Sequence, residues 1–261
     1  MLRYLKVFLI QFKFNILKDL SFRFSFIFSI LGAACFVALY YFTFYLLLAN
    51  FSLVGWSYYE MWIMLGCFIV VIYGFFMLFY KPLILYTDAL HTGMLDIFLL
   101  KPIDTQFLFA SAGGSIRNLI ALLFGLILVY FGAEKTNNPI SLLTVLGVLI
   151  AMILSMINLF SFIFGLLTLG FRLGYTDGLV VLVIKFQDFM KFPVDAFKHI
   201  PIYLLLFAVP FSLLTTIPVY ILLNRPYALI EFISYVICSL LFIIFVRAIL
   251  RYLLRDYSSG S

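Results

Sequence analysis

Residues 24–48, 61–80 and 142–169 each run, without one charged side chain, for at least the roughly 20 residues an α-helix needs to cross a hydrocarbon core. A chain built on such runs belongs in a bilayer. Composition agrees: charged residues make up 11% of the 261, against about 25% in a soluble domain, while hydrophobic residues reach 66% and aromatic residues 20%. Mean hydropathy is +1.20. These values predict an integral, all-α membrane protein of about six helices in one bundle, with no separate soluble domain.

The formal charge of +6 does not indicate a nucleic-acid partner. The 17 Lys and Arg sit scattered at the ends of apolar runs, where basic residues orient membrane helices, and form no patch that could track phosphates. Cys35, Cys67 and Cys238 each lie inside a hydrophobic run, as small apolar core residues do, with no disulfide framework or metal spacing. No small-residue cleavage site follows a short apolar core near Arg3, Lys6, Lys13, Lys18 and Arg23, so no cleavable signal peptide is expected.

In chain order, residues 1–23 place Leu5, Phe8, Leu9, Phe12, Ile16 and Leu20 on one helical face and most of the cations on the other. That pattern fits an interfacial amphipathic helix, and equally a basic flank that fixes orientation. The remainder, 24–261, reads as one transmembrane domain. The first span, 24–48, leads to a loop with Trp56, Tyr58 and Tyr59, residue types that favour the headgroup level. The second, 61–80, stops at Lys81 and Pro82. The third covers 119–133 and ends in a polar turn before Pro139. The fourth, 142–169, carries Ser155, Asn158 and Ser161 at steps of three, which more often serve helix packing than ligand binding. The last, 228–246, has Glu231 near its start and continues into a basic stripe of Arg247, Arg251 and Arg255.

Between the second and third spans, 86–109 is too polar to cross a bilayer and too long for a turn. Asp88, His91, Asp96, Lys101 and Asp104 fall within it, so it should face water and meet a soluble partner. A short helix here could anchor through Leu95, Ile97, Phe98, Leu99 and Leu100, offer Asp96 to a basic partner residue, and end at Pro102. A solvated loop with one amphipathic turn fits the same residues. Asp88 and His91 stand three apart, but such surface pairs are far more often hydrogen-bonded than catalytic, and His199 has no acidic neighbour at metal-binding spacing.

Gly93, Met94, Leu95, Asp96, Leu99, Leu100, Lys101, Pro102 and Ile103 resemble the Gly-x-Leu-acidic-x-x-Leu-x-x-Pro signature of permease subunits of type-2 ATP-binding cassette (ABC) exporters. The order of spans, a Pro-rich region near the end, and the Arg-x-x-x-Arg-Asp-Tyr-Ser-Ser-Gly run over 251–260 extend the resemblance over nearly the whole chain. The resemblance implies a six-helix bundle with an N-terminal amphipathic interfacial helix on the cytoplasmic face. It also implies that 86–109 holds a cytoplasmic coupling helix seated on an ATPase, and that a Pro-rich re-entrant region, 200–223, precedes the last span.

Residues 172–225 admit two readings. Lys185, Asp188, Lys191, Asp195 and Lys198 recur at steps of three and four, and Pro201, Pro210 and Pro218 punctuate the apolar run that follows. In the family's order of elements 176–192 is the fifth span and the Pro-rich run is a re-entrant pair of short helices. Lys185 and Asp188 would then lie at membrane depth, where ionisable groups usually face a partner or a wet cavity. Alternatively 178–199 is a cytoplasmic amphipathic helix and 202–223 the fifth span. This second arrangement leaves only Lys135 and Arg225 outside and so fits the positive-inside rule better. The first accounts for every element of the family's order and is the one expected.

The sequence contains no Gly-x-x-x-x-Gly-Lys-Ser/Thr phosphate loop, so the chain does not hydrolyse ATP by that route. If the resemblance holds, ATP and Mg bind on a separate ABC ATPase, present in two copies, and this chain pairs with a second permease, identical or homologous. The expected home is the bacterial plasma membrane with both termini cytoplasmic. ATPase coupling would fall on Gly93, Leu95, Asp96, Leu99, Leu100, Lys101 and Pro102, and the substrate path on Asn158, Lys185, Asp188 and Lys191. A membrane-embedded enzyme is the alternative from another class, but no nucleophile elbow, zinc-binding His pair or carboxylate cluster is visible. A non-transporting structural subunit of a membrane complex is the other. A secondary transporter would show two similar halves with matching interrupted helices, and one interrupted region is found.

Overall fold

The computed structural model describes residues 2–21, 23–50, 55–92, 94–136, 138–173, 185–197 and 202–255. Every regular element among them is helical. They are α1 (Leu2–Ser21), α2 (Arg23–Asn50), α3 (Tyr58–Leu78), α4 (Tyr80–His91), α5 (Leu95–Leu99), α6 (Thr105–Ser111), α7 (Leu119–Lys135), α8 (Leu142–Leu173), α9 (Ile202–Leu222) and α10 (Ala228–Arg255), with short 3-10 turns at Ile116–Asn118, Gln187–Lys191 and Val194–Phe197. In hydrocarbon a helix pairs its own backbone polar groups, which is why apolar runs of this length fold this way.

Five stretches are long and apolar enough to cross a membrane: Phe26–Thr43, Tyr58–Leu78, Ile116–Lys135, Leu142–Leu169 and Ala228–Tyr252. They coincide with five of the six expected spans. The other, 176–192, falls mostly outside the described residues, whose part of it ends in the 3-10 turn Gln187–Lys191. The Pro-rich run differs from expectation: in place of a pair of short helices it forms the single helix Ile202–Leu222, with Pro210 and Pro218 inside it.

The bundle is organised around α3, whose residues from Met61 to Phe75 are nearly all buried. Its tightest partner is α7, and glycine makes the approach possible. A Cβ on Gly66 would stand 2.8 Å from the Gly125 carbonyl oxygen, one on Gly125 3.0 Å from the Gly66 oxygen, and one on Gly132 2.6 Å from Ile63 Cγ1. Gly125→Leu should therefore force the two helices apart, with a loss of about 2–3 kcal/mol. Thermal melting of the purified chain in detergent checks this, and an unchanged midpoint would contradict the packing.

At the start of α3 a capping box joins Ser57 and Glu60. Arg225, from the turn between α9 and α10, donates to Glu60 Oε1 at 3.0 Å and to the Gly55 carbonyl at 3.0 Å, with its guanidinium 4.9 Å from the Trp56 ring centre. Trp56 Nε1 and the Tyr220 hydroxyl both donate to Asp195 Oδ2, at 3.1 and 2.6 Å. Residues 190–195 pack against 212–220, and α9 supplies the side chains that pair their irregular backbone. Ser212 donates to the Phe192 carbonyl, Thr215 to that of Met190, and Thr216 accepts from the Val194 N–H. Non-helical backbone is tolerated in such a setting when protein groups satisfy it in this way.

Candidate functional site

At the opposite end of α3 the chain builds the segment that the sequence singled out. Helix α3 stops at Leu78 and α4 starts at Tyr80, with Pro82 in its first turn. Pro82 has no N–H to return to the Leu78 carbonyl, so that carbonyl is left without its helical partner. The loop 112–115 lies over this break: the Ser115 N–H donates to the Met77 carbonyl at 2.9 Å, and a Cβ at Gly113 would be only 1.7 Å from the Leu78 oxygen. Gly114, at φ +121°, uses the backbone region that favours glycine and faces Phe12 of α1.

Asp19 of α1 closes the same corner. Only 1% exposed, its carboxylate accepts from Ser115 Oγ at 2.7 Å and from Lys81 Nζ at 3.2 Å, and pairs with Arg117 at 3.3 Å. One turn earlier, Asn15 Nδ2 donates to the Ala112 and Gly113 carbonyls. Helix α1 thus turns a polar edge inward, with Phe8, Phe12 and Ile16 half-buried beside it. Leu9 and Leu20, expected on the same face as those three, are 55% and 46% exposed.

Helix α5 is short and lies between α4 and α6. Leu95 is fully buried, and Phe98 packs on Phe109 of α6 with ring centres 4.6 Å apart. Phe109 meets Tyr86 of α4 at 5.0 Å, and Tyr86 stacks on Phe164 of α8 at 4.2 Å, then Phe160 and Phe79 follow at 5.4 and 4.8 Å. Thr168 commits its proton to the Phe164 carbonyl, so the Tyr86 hydroxyl donates to Thr168 Oγ1 at 2.7 Å. Burial pushes the Tyr86 phenol up to about 12, and it stays a donor at physiological pH. A column of rings therefore links α5 to a membrane-spanning helix and to the α3–α4 break. Asp104 caps α6 by accepting from the Phe107 N–H, and its other oxygen pairs with Arg247 of α10.

The predicted residues of this segment divide into two sets. Leu95 and Phe98 anchor as expected. Ile97 and Leu100, expected to anchor as well, are 56% and 85% exposed and, with Met94 at 51%, form an outward apolar face. The reason is periodicity: 94, 97 and 100 fall three apart, on the side of the turn away from Leu95 and Phe98. Asp96 is half-exposed and its carboxylate pairs with no described residue. Lys101 and Pro102 are exposed, with Lys101 Nζ 4.8 Å from the Phe98 ring. Gly93 lies outside the described residues, as do the side chains of His91 and Leu99.

Of the four residues expected along a path, Asp188 and Lys191 pair with each other, while Asn158 lies apart from them. Asn158, 9% exposed, donates through Nδ2 to Ser239 Oγ at 2.7 Å and to the Tyr235 hydroxyl at 3.3 Å, both on α10. Next to it Ser155 donates to the Leu214 carbonyl at 2.6 Å. Pro218 leaves that carbonyl without a helical partner, as Pro82 does that of Leu78. Lys191 sits elsewhere, against α2 and α3, with its ammonium 4.3 Å from the Tyr40 ring and 5.5 Å from Phe68, and paired with Asp188. Lys185 is exposed. Asp19, Asn15, Ser115, Tyr86 and Thr168 escaped the sequence reading. A lone acid at the end of a basic helix was the available signal for Asp19.

Five helices long and apolar enough to cross a membrane, with the short helix α5 braced at one end of α3, give the chain the build of a polytopic membrane protein. A family model, ABC-2 family transporter protein, matches residues 34–261, and the chain belongs to that family. It is therefore a multi-pass membrane protein and an ABC transporter permease, and membership implies partnership with an ABC ATPase subunit. No curated protein and no solved structure matches the chain.

Proposed function

We propose that the chain is an exporter permease of the bacterial plasma membrane, with both termini cytoplasmic, which pairs with a second identical or homologous permease and is driven by two ABC ATPase subunits that bind ATP and Mg. The 86–109 segment is the contact with the ATPase, with Gly93, Leu95, Asp96, Leu99, Leu100, Lys101 and Pro102 in or beside the touching helix. One observation carries this reading: α5 is locked on its inner side through Leu95 and Phe98 while Met94, Ile97 and Leu100 present apolar surface outward. A push on that face passes into α8 through the Tyr86 and Phe164 rings, because close-packed aromatics transmit displacement with little give. The cargo path, formed at the interface of the two permeases, takes in Asn158, Lys185, Asp188 and Lys191. Neither a membrane-embedded enzyme nor a structural subunit is favoured by the family match.

The test is co-purification with the ATPase subunit. Ile97→Asp with Leu100→Asp should reduce the recovered ATPase, and the stimulation of its turnover, by about tenfold, as loss of a central apolar contact does. Both positions are exposed, so membrane insertion and melting should be unaffected. Undiminished recovery of the ATPase would refute the contact.

A further inference from the structure

We propose that the cleft between α2 and α3 holds an acyl chain of an anionic phospholipid whose phosphate rests on Lys81 and Arg117. The cleft, about 500 Å³, is walled by Phe36 and Tyr40 of α2 and by Ile72, Tyr73 and Phe76 of α3. Its size falls in the range of small-molecule pockets, roughly 300–1,000 Å³. Along α2 the lining extends from Ser29 to Tyr40, a rise of about 16 Å and close to half of a hydrocarbon core about 30 Å thick. The acyl chain of one leaflet has that reach. Gly32 and Phe36 line the cleft and are exposed, so it opens sideways from a membrane-length helix, where lipid chains lie.

Charge decides which end takes the headgroup. At the end marked by Ser29 the cleft is lined by Tyr80 and Asn118, the chain neighbours of Lys81 and Arg117. Both cations are about one-third exposed, and both pair with the single carboxylate of Asp19, so the trio carries one positive charge in excess. Lys81 has three N–H groups and two acceptors among the described residues, Asp19 and the Gly114 carbonyl, which leaves one N–H for a phosphate oxygen. At the other end Lys191 lies over Tyr40, but its side chain is only 14% exposed and its charge is matched by Asp188. No Asp or Glu is among the described residues lining the cleft, so nothing there repels a phosphate. A neutral lipid leaves the excess charge unanswered, and an anion without a chain gains nothing from the aromatic wall.

The test requires no ATPase, so its failure leaves the coupling contact proposed above standing. The probe is phosphatidylglycerol with a mid-chain diazirine, compared with phosphatidylcholine bearing the same chain, each applied to the purified full chain in detergent and irradiated. Phosphatidylglycerol should label peptides spanning 29–40 and 72–80. Phosphatidylcholine should label them about fivefold less, the advantage that one excess cation gives an anionic lipid near the membrane surface. Lys81→Gln removes the excess charge while Asp19 keeps Arg117 and Ser115, and it should equalise the two lipids. Lys135→Gln, at the far end of α7 from Arg117, deletes the same charge and should leave the preference intact. Gly32→Trp fills the cleft from a position whose added Cβ meets nothing within 4 Å, and it should block labelling by both lipids. Equal labelling in the unmodified protein, a preference that survives Lys81→Gln, or undiminished labelling of Gly32→Trp overturns the proposal. Displacement of the labelled lipid by excess glycerol phosphate would also overturn it, since the site would then serve a free anion.

Discussion

Asp19→Leu should detach α1 from the corner formed by α4 and the 112–118 loop, and cut ATPase stimulation by at least tenfold with the outward face of α5 left intact. The carboxylate is 1% exposed and meets Ser115, Lys81 and Arg117. Breaking a fully buried pair costs about 3–5 kcal/mol. Lys81 and Arg117 are each about one-third exposed, so water can recover them in part and the expected loss is nearer 2–3 kcal/mol. Asp19→Asn keeps an acceptor for Ser115 without the charge and should lose less. Melting of the purified chain, together with ATPase turnover in the assembled complex, measures both effects. A melting midpoint for Asp19→Leu within a degree of the unmodified chain would mean that α1 is held by apolar contact alone.

Gly113→Val carries the second large effect. Its Cβ would lie 1.7 Å from the Leu78 oxygen and 2.9 Å from Pro82 Cγ, backbone and ring that cannot rotate away. The loop must lift from the α3–α4 break, which removes the Ser115 N–H from the Met77 carbonyl and separates Ser115 from Asp19. A cost of about 3 kcal/mol or more is expected, from overpacking plus an unpaired buried carbonyl. Gly32→Ala is the matched control, since its added Cβ meets nothing within 4 Å. Limited proteolysis at 112–118 should be faster in Gly113→Val than in the control. Equal rates would show that the loop does not depend on this close approach.

Much of the architecture follows from composition and from the length of apolar runs alone. A charge-free stretch in hydrocarbon has to satisfy its backbone internally, so the helices Arg23–Asn50, Tyr58–Leu78, Leu119–Lys135, Leu142–Leu173 and Ala228–Arg255 fall where hydropathy places them. The polarity of 86–109 set that segment apart from the spans in the same way, and the spacing around Gly93 to Pro102 suggested the family that the match over 34–261 establishes. The tertiary structure decided which side of each helix is used. Ile97 and Leu100 look as fit to anchor as Leu95 does; periodicity puts them on the side of the turn opposite Leu95 and Phe98, and the packing of Phe98 on Phe109 decides which of the two sides faces inward. Pro82 and Pro218 each free a carbonyl, but the groups lying over or answering them come from residues far along the chain, Gly113 and Ser155. The same holds for Asp19, whose partners Lys81, Ser115 and Arg117 are 62 to 98 residues away. Periodicity is a local property of the chain. Contacts across such separations depend on how whole helices pack, and no repeat in the sequence encodes them.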